Sequence, residues 1–379
     1  MDTVSPITEQ GFSGPRPKHP TQELMNEGTA LVMTIFPAQA RFTKERARHI
    51  IWRFDSATTD ELRRRFVALD PTAIERLRSY LLERWSQVAR ERGGRHARAN
   101  QAYWESELGR VELDAHTSGR LVHDRHEYVP WLNALCRLNG ARVLEVGCGT
   151  GSSIMALAEQ GCELTGIDVV PEAIDMTRER FRLFGLSEPL LHVMNATDIA
   201  MRFDRGSFDL IIFFASLEHM THSERLASLR AAWRHLTDDG ILCIAEAPNR
   251  LWLFDDHTSG LPFFHWLPDE IALEYLKRSP MFDHNPVFDT ASAEAMVELS
   301  RRGRGVSFHD IELALGPIQD LDFKLDLQSF QLEQNLLRWL HYRQSRKRRY
   351  AKMLRQQRPD LPFGFFMPYL NIAIRKQTP

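Results

Sequence analysis

Residues 142–158, RVLEVGCGTGSSIMALA, constrain the fold more than any other stretch of the 379-residue chain. A β-rich run ends in glycines at alternate positions, Gly147, Gly149 and Gly151, and a helical pattern begins at once. Glycine lets a backbone turn tightly and approach a ligand, and the free N–H groups of the following helix favour a carboxylate or phosphate. Strand, tight loop and helix in that order are one arm of a parallel sheet with crossover connections, and the loop is a nucleotide-type site.

The texture continues downstream. ELTGIDVV ends in Asp168, about 20 residues after the first glycine, where a carboxylate accepts hydrogen bonds from ribose hydroxyls. PEAIDMTRERFRLF, LLHVM, FDLIIFFAS, a helix over 223–236 and GILCIAEAP keep up the alternation of helical and strand-like runs. GVSFHDIELAL (305–315) and FGFFMPYLNIAIRK (364–377) read as two further strands. Upstream, Asp70-Pro71 suits a helix start, and Ile74, Leu77, Leu81 and Leu82 then fall on one helical face. Four prolines in the first 20 residues predict disorder. The expected organisation is a disordered tail over 1–21, a helical region over 22–125 and a main domain over 126–379. Insertions are expected at about 251–304 and 316–362.

Composition excludes several classes. A net charge of -2 is not that of a globally basic nucleic-acid binder. No stretch approaches the roughly 20 apolar residues of a membrane helix, and the first residues lack the apolar centre of a signal peptide, so a cytoplasmic location is expected. Cys136, Cys148, Cys162 and Cys243 form no CxxC pair, which predicts reduced thiols rather than disulfides or a zinc site.

VLEVGCGTGSS followed by GIDVV resembles motif I and the adjacent acidic strand end of class I S-adenosylmethionine-dependent methyltransferases. HVMNATDI, FDLIIFFASLEHM and GILCIAEAP fit that family in order and spacing from about 140 to 250, and are similar to ubiquinone-pathway and other small-molecule methyltransferases. The resemblance implies an α/β fold: a Rossmann-like seven-stranded sheet with helices on both faces, an antiparallel last strand, a helical N-terminal region and helical insertions. It also implies S-adenosyl-L-methionine as cofactor. Gly147, Gly149 and Gly151 then shape the loop around its methionine part, Asp168 holds the ribose and Glu145 supports the ammonium. Asn195 stands where the family commonly has an aspartate reading the adenine amino group, with the Ala196 N–H on a ring nitrogen and Asp198 as the alternative carboxylate.

Methyl transfer from a sulfonium is an in-line displacement, so a protein chiefly aligns the acceptor and excludes water. A hydroxyl acceptor gains from a general base. The resemblance puts Leu217, Glu218 and His219 beside the cofactor, where His219 is a base candidate; the plainer reading is a Glu-His pair that packs there and starts the next helix. The segment EAPNRLWLFDDHTSGLPFFHWLP (246–268) adds His257 and His265 as base candidates, and Trp252, Phe254, Phe263, Phe264 and Trp266 as either an acceptor wall or a private loop core. Asp255, Asp256 and His257 are adjacent rather than helically spaced, and Glu218 is a further conceivable ligand, but no metal site is expected.

The expected activity is methylation of a small-molecule acceptor, on oxygen, in secondary or cofactor metabolism or on a glycan or lipid precursor. The alternatives are N-, C- or carboxyl-methylation of a natural product or peptide, RNA methylation, and a non-catalytic cofactor-binding scaffold. Residues 336–358 carry nine basic residues and no acid. They are the feature on which RNA or a weak anionic-surface contact would rest, although a solvated helix end explains them as well.

Overall fold

A computed structural model describes residues 61–91, 101–282, 285–334, 342 and 345–377. The expected tail over 1–21 lies outside the described residues, as do 336–341, 343 and 344 of the basic stretch. All described residues belong to one compact unit that begins at Ile50.

Seven strands form one sheet: β1 (Arg142–Val146), β2 (Glu163–Asp168), β3 (Leu190–Val193), β4 (Phe208–Phe214), β5 (Leu236–Pro248), β8 (Asp322–Phe323) and β9 (Tyr369–Arg375). Their order is β3-β2-β1-β4-β5-β9-β8. The first five strands run parallel, whereas β9 is antiparallel to β5 and to β8. The chain reverses its direction of travel through the sheet between β1 and β4, and the crevice outside the carboxyl ends of those strands is where such sheets bind ligands. β4 reads FDLIIFF, a near-continuous apolar run, because a central parallel strand is covered on both faces.

Alternate residues of each strand point to opposite faces, so the sheet separates two cores. Val143, Leu210, Ile212 and Cys243 meet Leu121, Val129, Trp131, Ile154 and Phe181 of helices Arg120–Leu135, Ser152–Ala158 and Pro171–Leu183. Leu77 and Leu81 of helix Pro71–Glu91 join this core, so this helix packs on the sheet layer; residues 22–60 and 92–100 of the expected helical region lie outside the described residues, and residue 125 falls inside helix Arg120–Leu135. On the other face Leu144, Ile211, Phe213 and Leu242 meet Leu229 and Ala232 of helix His222–His235 and Ile311 of helix Phe308–Leu315.

That last helix corrects one expectation. Residues 305–315 do not form a strand: Ser307 and Asp310 close a reciprocal capping box, and Phe308 and Ile311 bury one helical face. The sixth strand in chain order is instead the two-residue β8, inside the expected 316–362 insertion, and it lies at the sheet edge beside β9. Residues 251–304 form a two-stranded ribbon, β6 (Phe254–Asp255) and β7 (Leu261–Pro262), with helices Asp269–Leu276 and Ala293–Gly303. They enclose a small core of Phe264, Leu273, Leu276, Phe288 and Leu299. Among the described residues no helix is long and apolar enough to cross a membrane.

Candidate active site

The glycine loop follows β1 without slack. Gly147, Gly149 and Gly151 have φ of +81°, +53° and +82°, the left-handed region that residues with a Cβ avoid. A Cβ on Gly147 would lie 2.6 Å from Ser216 Cβ, so that glycine is needed for close packing. At Gly149 nothing lies within 4 Å of the same position, so this backbone borders open space rather than protein. Asp168, at the end of β2, accepts from the Gly149 N–H at 3.0 Å and the Val170 N–H at 2.9 Å. Its lone pairs are not exhausted by two donors, so the carboxylate retains acceptor capacity toward hydroxyl groups. Thr177 and Arg180, both buried on helix Pro171–Leu183, donate to the carbonyls of Gly149 and Thr150 and hold the loop from behind.

Glu145 lies wholly buried under the loop, one oxygen bonded to the Ser153 hydroxyl and the other without a partner. Burial pushes its carboxyl up to about 8. Asn195 caps the short helical turn Ala196–Asp198 by accepting the Thr197 N–H at 3.0 Å, so part of its acceptor capacity is already used inside the protein.

Beyond the loop, two non-glycine residues adopt left-handed backbone at the carboxyl ends of neighbouring strands: Ala215 (φ +45°) and Glu246 (φ +55°). Such conformations cost roughly 1–3 kcal/mol each and cluster at working sites. The pairing of β5 with β9 is irregular between Ile244 and Ala247, and this irregularity presents Glu246 to helix Arg120–Leu135. There Arg120 Nη2 lies 2.9 Å and His123 Nε2 3.5 Å from its carboxylate. Burial alone would raise Glu246, but Arg120 and His123 outweigh it and hold the carboxyl at about 2. Burial raises neighbouring Asp124 to about 7.

The turn after β4 carries Glu218 and His219. Glu218 is fully buried, both carboxylate oxygens lack a hydrogen-bond partner, and burial raises its pKa. His219 Nε2 stands 3.8 Å from Glu218 Oε1 while its Nδ1 is 2.8 Å from the Arg301 carbonyl. His257 arrives from the 251–304 insertion with Nε2 3.9 Å from the same oxygen. Burial, then the neighbouring His219, lowers its pKa to about 4.

The Asp-Asp-His run of the sequence does not converge on one point. Asp255 is buried and knots the loop, accepting from the N–H groups of His257, Thr258 and Ser259 and from the Ser259 hydroxyl. Asp256 accepts the Tyr369 hydroxyl at 2.9 Å, and only His257 reaches Glu218. His265, a base candidate from the sequence, lies inside the loop. Its ring is 2 % exposed, with Nδ1 accepting the Gly305 N–H at 3.2 Å and Nε2 3.2 Å from Asp255 Oδ1, so it serves the loop's own structure. Of the aromatics, Phe264 belongs to the insertion's core, Trp252 packs edge-on to Tyr350, and Phe263 and Trp266 are half exposed. Asn249 is buried too, bracketing the carbonyls of Phe365 and Met367.

Residues 143–240 match the model of a methyltransferase domain family. This segment is a class I methyltransferase domain. S-adenosylmethionine is the cofactor such a domain takes, and an open glycine backbone, a strand-end carboxylate and an unpartnered buried glutamate oxygen fit it. The chain is 30% identical over 135 residues to a protein named putative methyltransferase YqeM of Bacillus subtilis, covering 35% of this chain and 49% of the relative. It is 34% identical over 118 residues to a ubiquinone biosynthesis O-methyltransferase of Xanthomonas oryzae, covering 30% and 46%. The chain thus spans about half the length of these curated relatives. Among solved structures it is similar to magnesium protoporphyrin IX methyltransferase from Synechocystis PCC 6803. The identity is 21%, the coverage 48% of this chain and 79% of that one, and the TM-score 0.32, too low to bear on acceptor or mechanism.

The glycine loop is legible in the sequence as a motif; Arg120, His123, Asp124 and Tyr128 belong to no motif. A signal existed: RLVHDRHEYVPWLNAL places residues 120, 123, 124, 127 and 128 at helical spacing, a polar stripe on a helix whose Asp124, Arg125 and Glu127 are buried.

Proposed function

We propose that the protein transfers a methyl group from S-adenosylmethionine to an oxygen of a small-molecule acceptor. The observation that carries this reading is the open backbone face at Gly149 beside a strand-end carboxylate that already fixes the Gly149 N–H. In this reading Gly147, Gly149 and Gly151 shape the methionine end of the cofactor site, and Glu145 faces its ammonium. Asp168 holds the ribose, and Asn195 with the Ala196 N–H takes the adenine edge. The cofactor supplies an electrophilic methyl on sulfur. The chain's task is to present the acceptor in line with it, keep water out and deal with the acceptor's proton.

Oxygen as the methylated atom is supported by the polar groups collected past the carboxyl ends of β4 and β5. Glu218, His219 and His257 lie on one side, Arg120, His123 and Glu246 on the other. An acceptor hydroxyl needs its proton removed or its oxygen polarised, and the first group sets two imidazole Nε2 atoms near a buried carboxylate. The similarity to a relative named an O-methyltransferase agrees with this choice.

The test is binding of labelled S-adenosylmethionine to the full chain, followed by a panel of hydroxyl, amine and carboxyl acceptors. Gly149→Arg places a long side chain in the open space and is expected to abolish cofactor binding with the fold intact by circular dichroism. Normal binding by that variant overturns the site assignment, and methylation confined to amines overturns the oxygen assignment.

A further inference from the structure

The hydrogen-bond inventory around Glu218 leaves an unusual arrangement. The Arg301 carbonyl only accepts, so His219 Nδ1 at 2.8 Å must carry the proton. The Thr258 hydroxyl spends its one proton on the Gly303 carbonyl at 2.6 Å, so His257 Nδ1 at 3.1 Å must donate to the Thr258 oxygen. Both imidazoles, when neutral, therefore turn bare Nε2 lone pairs inward. What they meet is a fully buried carboxylate with no donor on either oxygen.

One ligand atom from each of Glu218, His219 and His257 lies within 4.8 Å of the other two. At 3.8 and 3.9 Å the histidine nitrogens are too far from the carboxylate for hydrogen bonds. Ligand atoms held at about 2.0–2.2 Å from one shared cation stand at comparable separations from each other. Orienting a ligand histidine through its other ring nitrogen to a carbonyl or hydroxyl is also what metal sites do. The placement is built in: Gly303 (φ +118°) packs so closely that a Cβ there would lie 2.7 Å from the His257 ring.

We infer that Glu218, His219 and His257 form a divalent metal site. Two imidazoles and one carboxylate suit a first-row ion such as Zn2+ or Mn2+ better than Mg2+, whose preference is for oxygen ligands. The side chains of His219 and His257 are 43% and 25% exposed, so the site opens toward solvent and leaves positions on the ion for an acceptor oxygen. An ion there would polarise the bound hydroxyl and ease loss of its proton, which makes the two histidines ligands rather than bases. This role in the reaction rests on the function proposed above, but the site itself does not.

The experiment is titration of the full chain, stripped with chelator and dialysed, with Zn2+, Mn2+ and Mg2+ separately. Calorimetry and, for Mn2+, electron paramagnetic resonance follow binding, and S-adenosylmethionine binding is measured on the same samples. One equivalent of Zn2+ or Mn2+ is expected, bound at least tenfold more tightly than Mg2+. Glu218→Gln and His257→Asn should each lose at least tenfold in affinity, and Gly303→Ala should weaken binding by displacing the His257 ring. His222→Ala, removing an exposed histidine of the next helix, should leave it unchanged. Variants are compared only where circular dichroism and melting show the fold retained, and if Glu218→Gln fails to fold, His257→Asn decides. Absence of stoichiometric binding, or binding equal in wild type and folded His257→Asn, overturns the site while leaving cofactor binding and the proposed reaction standing. Metal binding without any S-adenosylmethionine binding sinks the reaction instead and leaves the site.

Discussion

At the scale of single residues, Glu145 couples cofactor binding to protonation. Its carboxyl sits at about 8 because burial penalises the charged form. A cationic ammonium placed beside it would favour the carboxylate and pull that value down. Binding near pH 7 should therefore release up to one proton, and affinity should strengthen as pH rises toward about 8. Calorimetry in two buffers of different ionisation enthalpy measures the release directly. Glu145→Gln should abolish it, and a buffer-independent enthalpy in the wild type would show that Glu145 does not face the ammonium. The same scale bears on Asn195, proposed to take the adenine edge. An asparagine in a cap already spends acceptor capacity on the Thr197 N–H, and no pattern of residue types reveals that.

At the scale of elements, the 251–304 insertion behaves as a small structure with its own knot. Asp255 collects three backbone N–H groups, a hydroxyl and the proximity of His265, with its side chain fully buried. Asp255→Ala leaves those donors and the histidine without a counterpart, which should cost roughly 3–5 kcal/mol, the range for breaking a buried charged network. The loss should appear as faster amide hydrogen exchange across 251–304, with protection of the glycine loop and cofactor affinity unchanged. Equal deprotection of β1 and β4 would mean that the insertion is not a separate cooperative unit. Helix Phe308–Leu315 makes a related point about legibility. GVSFHDIELAL alternates well enough to read as a strand, but Ser307 and Asp310 at a capping-box spacing were the better local signal.

For the molecule as a whole, the buried acids set opposing dependences on pH. Glu246 and Asp255 are both held at about 2, below their ordinary values of 4.5 and 3.8, because Arg120 and His265 respectively outweigh the effect of burial. A lowered carboxyl contributes stability above its unfolded value and loses it as pH falls, here between about 4.5 and about 2. Asp124 and Glu145, raised from 3.8 and 4.5 to about 7 and about 8, act the other way: the folded state keeps them protonated where the unfolded chain ionises them, so stability falls as pH climbs from about 4 to about 8. Urea unfolding across pH should show maximum stability where the gain from the lowered acids is complete and the loss from the raised ones begins, at about pH 4–4.5. Glu246→Gln should flatten the acid limb, and an acid limb identical to wild type would remove Glu246 from the account.

The sequence by itself determined the class of sheet and the glycine loop on which the proposed cofactor site is built. Glycines at left-handed positions, an acid at a strand end and apolar runs of strand length are local requirements, and local requirements are written in consecutive residues. It also placed Glu218 and His219 after β4, since a strand's carboxyl end is defined by its own run. What only the tertiary structure decided is everything that depends on distant partners. His257 joins Glu218 while Asp255 and Asp256, its immediate neighbours, turn to other tasks, because a chiral backbone sends adjacent side chains in different directions. Glu246 meets Arg120 across 126 residues because an irregular strand pairing and a helix happen to face each other. The short β8 could not be read at all, since two residues carry no periodicity and owe their conformation to the edge of β9.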